Sequence, residues 1–471
     1  MNDAARGDAT DRERQVIAAA IERIDALHAG TVPYQADRLF DGDETAAICR
    51  GVQLLLELDD SEAGDLVHRL LSGVVVAPTS ANTVPSQGLA YGIGNAIIAY
   101  PTPESVIALR SAIAQTRHGG VVWKLKRLLK AAEKALPERG DVAIRVPADE
   151  KLTPAQLRGF VKGLEGQFAL ERRWTPEEWL RLFHTNPQAT KTSALLVWSL
   201  ERPDGSVRSF LGPADGGTTA DGSLIGELDG EIGLWHPVIA EEEERGAWRD
   251  RIWRDRVQQP FRQVFREFYR AGDSESLDAF VGARLDIRPL LGLARSEGWK
   301  LDRDTLVRTL GRSRIVLELD GSLYPGAEGS TVLRSITVFD GDRAVAPADL
   351  PPVVVSEVLR AVDLLVSVTT IDLSDGTYRG WDGSSAGSAL AVRRIVIEHA
   401  YATDARVRVE GRHAYISDYD VHLGTARVSR HGEPVELDAP ARKRSFVPST
   451  EKLLSLILDR IDALLDDATQ P

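Results

Sequence analysis

The stretch Val257-Gln-Gln-Pro-Phe-Arg-Gln-Val-Phe-Arg-Glu-Phe-Tyr269 decides how the middle of this chain is read. Pro260 suits the first position of a helix, where a missing N–H costs nothing. Phe261, Val264, Phe265 and Phe268 then recur at helical spacing and predict a buried stripe. Arg262, Arg266 and Arg270 fall at i, i+4 and i+8, and so share the opposite face. A guanidinium is a rigid fork of donors that matches a carboxylate or a phosphate. The stretch therefore predicts a helix, with two readings of its arginines. In one they form an anion site with Gln259 and Gln263. In the other they are a solvated face, or internal ion pairs with Glu267 and neighbouring acids.

Before this stretch the chain reads mostly as helices. Asp11–His28 puts Val16, Ile17, Ala20, Ile21, Ile24 and Leu27 on one stripe. Glu44–Leu58, Glu62–Val75, Gly88–Ala99, Pro103–Thr116 and Gly120–Leu136 follow, with Pro101, Pro103 and Pro137 at their ends. This succession fits either a stacked helical array of HEAT type or a plain bundle. The pattern changes near residue 139. Thr153-Pro154 and Thr175-Pro176 each look like an N-cap and a first-turn proline. Ser193–Leu200 reads as a buried strand, 205–233 as hairpins or a loop, and Glu243–Val257 and Leu290–Glu297 as helices.

After it, Ser313–Leu319, Ser330–Phe339, Ala405–Val409 and His413–His422 read as strands. Pro351–Val368 and Glu451–Leu465 read as helices, and Ala389–His399 as helical or mixed. The expected fold is multidomain: an α-helical array over 1–138, a central α+β domain over 139–310 and a C-terminal α+β domain over 311–471.

Composition narrows the function classes. The 471 residues carry a net charge of −13, which disfavours bulk binding to nucleic acid or to an anionic membrane. A local basic patch could override that sign. One cysteine, Cys49, excludes an internal disulfide and a cysteine-rich zinc site. No apolar run reaches the length of about 20 residues that spans a bilayer. With no signal-like N-terminus, the chain reads as cytoplasmic. The glycine-rich fragments 212–222 and 383–387 lack the frame of a phosphate loop, and no cofactor is expected.

Further candidates lie elsewhere. The plainer reading of Arg360 pairs it with Asp363 one turn away or makes it a link between domains; the functional alternative has Arg284 and Arg360 join Arg266 around one anionic pocket. In a strand, Asp418, Asp420 and His422 would point to one side, a weak O, O, N set for a divalent metal. Six tryptophans between 174 and 253 read as core anchors rather than stacking platforms.

Several segments together resemble an uncharacterised bacterial family, the domain of unknown function in molybdate-metabolism-regulator-like proteins. Trp248 with Gln259-Pro-Phe-Arg-Gln-Val-Phe-Arg-Glu267 is similar to its Gln-Pro-Phe signature. Gly298-Trp299, Pro351-Pro-Val-Val-Val-Ser-Glu-Val-Leu-Arg-Ala-Val-Asp363 and Tyr419-Asp-Val-His-Leu-Gly424 resemble further segments, over a span from roughly Gln87 to Leu465. Such proteins often carry a WGR module, and Tyr378-Arg-Gly-Trp381 is not one. The resemblance implies no established activity. The leading expectation is a regulatory or interaction protein whose partner is an unknown protein or a small anionic ligand, bound through Arg262, Arg266, Arg284, Arg360, Gln259 and Gln263. The alternatives are an enzyme on a phosphorylated or nucleotide-like substrate, with Glu267 or His422 moving protons, and a nucleic-acid accessory protein.

Overall fold

Four of the helix starts among the first 135 residues meet unpaired N–H groups with a capping side chain. The computed structural model describes residues 3–467 apart from 141, 149, 213–215, 271–276, 278–279, 322, 325, 370–388, 438, 442–443, 445 and 449–450. The 378–381 and 383–387 segments thus lie outside the described residues. Helix α1 is Asp3–His28, α2 Gly42–Glu57, α3 Ala63–Val75, α4 Gln87–Ala99, α5 Pro103–Gln115 and α6 Gly119–Ala135. Asp41 accepts from Glu44 N at 2.8 Å while Glu44 accepts from Asp41 N at 2.9 Å, a reciprocal capping box. Thr102 and Ser105 repeat the box at α5, while Ser86 and His118 only accept from a backbone N–H, at α4 and α6.

Helices α2, α4 and α6 pack in one row, and α1, α3 and α5 in another. Small residues set the spacing between neighbours. A Cβ on Gly73 of α3 would stand 2.2 Å from Ile24 Cγ2 of α1. One on Gly92 of α4 would stand 2.2 Å from Cys49 Sγ of α2. The stripe foreseen for α1 is the buried one, and it joins Leu55, Leu71, Ile93, Leu109 and Leu125 in a single apolar cluster. Cys49 packs against this cluster, and burial pushes its thiol up to about 11. No helix among the described residues is long and apolar enough to cross a membrane.

The chain divides into two compact units, one of residues 1–165 and 185–189, the other of 166–184 and 190–471. Helix α7 is Pro154–Leu170, α8 Pro176–Phe183 and α9 Pro187–Ser193. Three antiparallel sheets occupy the second unit. The first joins β1 (Arg173–Trp174), β4 (Glu231–Leu234), β2 (Val197–Glu201) and β3 (Val207–Leu211) in that order. Beside it in sequence lies α10 (Glu242–Arg254). The second sheet runs β10 (Arg343–Val345), β9 (Ser330–Asp340), β8 (Ser313–Leu319), β7 (Thr305–Leu310), β6 (Lys300–Asp302), with β5 (Arg284–Asp286) also on β9. Helices α11 (Ile287–Ser296) and α12 (Pro352–Thr369) share its core cluster. The third is a meander of β11 (Val407–Glu410), β12 (His413–Ile416), β13 (Tyr419–His422), β14 (Val428–Arg430) and β15 (Glu433–Val435), with α13 (Ala389–Ala400) and α14 (Lys452–Asp467) in the same core. The expected single strand 413–422 is thus two. Ser417, at φ 53°, breaks it in the left-handed region.

The expected helix at 260–270 does not form; the stretch is irregular. Helix α10 ends before it, and Arg256 turns the backbone left-handed at φ 51°. Residues 263–269 are all buried. A surface helix hides one stripe and solvates the other. Here no face is solvated, so the apolar spacing did not mark a helix. Side-chain amides do part of the work of a ladder. Gln263 Oε1 accepts from Val197 N at 2.8 Å, and Gln263 Nε2 donates to Val197 O at 2.7 Å and Trp235 O at 2.9 Å. Gln259 Oε1 accepts from Val264 N at 3.0 Å. A buried loop must find such partners for its backbone.

Candidate functional site

The predicted arginines sit in a charge network within the second unit. Arg266 lies on the irregular stretch and is 1% exposed. Its Nε and Nη2 donate to the two carboxylate oxygens of Glu357, on α12, at 2.7 and 2.6 Å. His236, fully buried, places Nε2 3.2 Å from the same Glu357. Phe168 stacks under the Arg266 guanidinium at 4.8 Å. Burial alone would raise the Glu357 carboxyl. Arg266, His236 and Arg360 outweigh it and hold that carboxyl well below the usual range. Burial pushes the His236 imidazole below its usual value despite Glu357.

Glu267 is the second node. Arg262 donates to its Oε1, and Arg360 Nε to its Oε2 at 3.0 Å. Burial opposes ionisation there, yet Arg262 and Arg360 bring the carboxyl down to about 2. A carboxylate fixed in this way is not tuned for proton transfer near neutral pH. Arg360 therefore bonds Glu267, while Asp363 accepts the Tyr269 hydroxyl at 2.6 Å. Burial pushes Asp363 up to about 6. Glu451 ties Arg393 and Arg262 together. The structure thus brings Arg262, Arg266, Arg360, Gln259 and Gln263 into one neighbourhood, with carboxylates already between the cations. Arg284 is apart from it, on β5, where its Nε donates to Ser330 Oγ at 3.1 Å.

The third sheet holds the other candidates. Asp420 accepts from Ser429 Oγ at 2.8 Å, His422 Nδ1 meets Thr425 Oγ1 at 2.9 Å, and Asp418 lies 3.5 Å from Arg430. Among the described residues, no group of three His, Cys, Asp or Glu side chains is placed to hold a metal.

Two hollows stand out by shape. One, of about 100 Å³, lies between Val106, Ile107, Leu136, Val146 and Phe160, with Arg110 at its edge. Arg110 is paired with Glu133 and Glu150. The other, about 560 Å³, is an open acidic hollow at Glu177, Glu201, Asp229 and Glu231.

Two buried cations on α10 are ones that the sequence reading passed over. Arg245 and Arg249 stand one turn apart on the buried side of α10, with Trp248 and Ile252. Arg245 donates only to backbone, to Pro237 O and Ala240 O, and lies 4.9 Å over the Phe268 ring. Arg249 is 8% exposed, and its Nε and Nη2 have no hydrogen-bond partner. Neither makes an ion pair among the described residues. Burial draws the Arg249 guanidinium down to about 10, and Arg245 adds to the effect. Burial also lowers Arg245, with a push from Arg270. Like charges at i, i+4 repel, and a buried charge ordinarily has a partner. The available signal was two arginines on the same helical face as Trp248 and Ile252.

Fold and site together define an α+β chain with an ion-paired centre and a buried arginine pair on α10 that makes no ion pair among the described residues. Residues 137–299, which include α10 and the irregular stretch, match a family described as Domain of unknown function (DUF4132). No curated protein and no solved structure matches the chain.

Proposed function

We propose that this protein binds a small anion, a carboxylate or phosphate group, through Arg245 and Arg249, with Arg270 adding positive charge. The observation that carries this is Arg249: a buried guanidinium with two unmet N–H-bearing nitrogens beside a second buried cation. A planar fork of donors matches either anion bidentately. The role is regulatory rather than catalytic on this reading. Glu267, the nearest candidate proton carrier in sequence, is locked between two guanidiniums. The two rows of helices would serve as a partner surface of the helical-repeat kind.

The test is a thermal-shift titration at constant ionic strength with inorganic phosphate, a nucleoside monophosphate and a dicarboxylate. A native-state binder raises the melting point by mass action. Wild type should respond to at least one probe, and Arg249→Met to none. Arg249→Met should also be neutral or more stable without ligand, by up to about 1–4 kcal/mol, because it removes a buried charge with no partner. A variant that melts far lower would make Arg249 a structural group and end the proposal.

A further inference from the structure

A second set of cations without counter-charges lies in the other unit, on α6. Four of the ten lysines of the chain fall between Lys124 and Lys134. Trp123, Lys126, Arg127, Lys130 and Lys134 recur at helical spacing on one face, and all five are exposed. Trp123 is 61% exposed, with Arg127 stacked 4.9 Å from its ring. None of these four cations makes an ion pair among the described residues, whereas Glu133 beside them is taken by Arg110. The stripe is about 16 Å long at 1.5 Å per residue.

We propose that this stripe binds single-stranded nucleic acid, the cations on the phosphates and Trp123 as a stacking platform. Three observations favour this partner. The cations are mainly lysines, which serve phosphates as point charges and are depleted in protein–protein interfaces. Trp123 stands on the stripe without an exposed apolar patch around it, so the helix lacks the apolar centre of a protein docking site. The apolar side of α6, at Val121, Leu125, Leu128 and Ala132, is committed to the core of its own unit. It cannot insert into a lipid surface as an interfacial helix does. The net charge of −13 is a property of the whole chain, and the stripe is a local exception to it.

The experiment is fluorescence anisotropy of the full chain with a labelled 20-mer of deoxythymidine or uridine, from 25 to 200 mM salt. Binding should weaken with salt, with a log–log slope near −2 to −3, since each neutralised phosphate on a single strand contributes about −0.7. Reversing Lys126, Lys130 and Lys134 to Glu should abolish binding and flatten the slope. Trp123→Ala should weaken it by roughly 5- to 100-fold, the range of one lost base stack, and Trp123→Phe should largely restore it. These side chains are exposed, so circular dichroism and melting should match wild type. The proposal is overturned if no oligonucleotide binds at 25 mM salt. It is equally overturned if the reversal variant binds as wild type does, or if a poly-glutamate peptide or phosphatidylserine vesicles bind in preference to the oligonucleotide.

Discussion

Arg266 and Arg249 look alike in the sequence, and their surroundings separate them. Arg266 meets both oxygens of Glu357, 91 residues away along the chain. No local pattern announces that pairing, because it depends on a fold-dependent contact between an irregular stretch and a helix. The tryptophans were easier. Trp174, Trp179, Trp198, Trp235 and Trp248 are buried, as large aromatics without a basic strip around them should be. Arg266→Ala would leave Glu357 buried and under-compensated. It should cost about 3–5 kcal/mol, read from the denaturant midpoint. Asp363 gives a pH prediction. Its folded value, about 6, lies above the ordinary unfolded value of about 3.9. Its favourable contribution is therefore complete below about pH 4 and is lost as pH rises through 6. Asp363→Asn should accordingly raise stability at pH 7.5 by about 1–3 kcal/mol. That gain should fade in melts at pH 4. An equal gain at both values would show that the ionisation is not the cause.

At the scale of elements, the helices of the first 135 residues were legible because their signals are local. Caps, first-turn prolines and apolar spacing lie within one or two turns of each other. The strands of the meander were half legible, since a left-handed residue such as Ser417 leaves little trace in the apolar pattern. The 260–270 stretch was misread for a definite reason. Its apolar residues are spaced as in a helix, but its polar residues are buried as well, and periodicity cannot tell a buried glutamine from a solvated one. Gln263 is the residue most responsible for holding it against the first sheet. Gln263→Leu keeps similar bulk and removes four hydrogen bonds, one of them from Gln259 Nε2, which keeps Leu195 O at 3.4 Å. Val197 O retains a bond from Trp235 N, so Val197 N and Trp235 O are the groups left unmet. At about 1–3 kcal/mol for each, the variant should lose roughly 2–5 kcal/mol in urea or guanidinium unfolding. Stability equal to wild type would mean that the amide is replaceable by packing alone.

At the scale of the whole molecule, the expectation of helices first and mixed structure afterwards agrees with the described elements. The sites were harder to read. The two groups of cations on which the proposals rest, without ion pairs among the described residues, belong to α10 in one unit and α6 in the other, and neither is the arginine row that the sequence advertises most strongly. A row of arginines marks charge, but only the acids that fold against it decide whether that charge is available. The two units have their own apolar clusters, one built on Ile17, Leu71 and Leu125, the others on residues from Val197 onward. Calorimetry of the full chain should therefore resolve two transitions that answer to different perturbations. Gly73→Ala forces a Cβ to within 2.2 Å of Ile24 Cγ2. Such overpacking should cost about 1–3 kcal/mol, and it should lower only the transition of the unit that holds Ile24. The anion that binds should raise only the transition of the unit that holds Arg249, and Arg249→Met should remove that rise while leaving the effect of Gly73→Ala intact. One transition that moved as a whole under both perturbations would mean that the two cores unfold together. Ligand and core substitution would then have to be separated by double-mutant comparison instead.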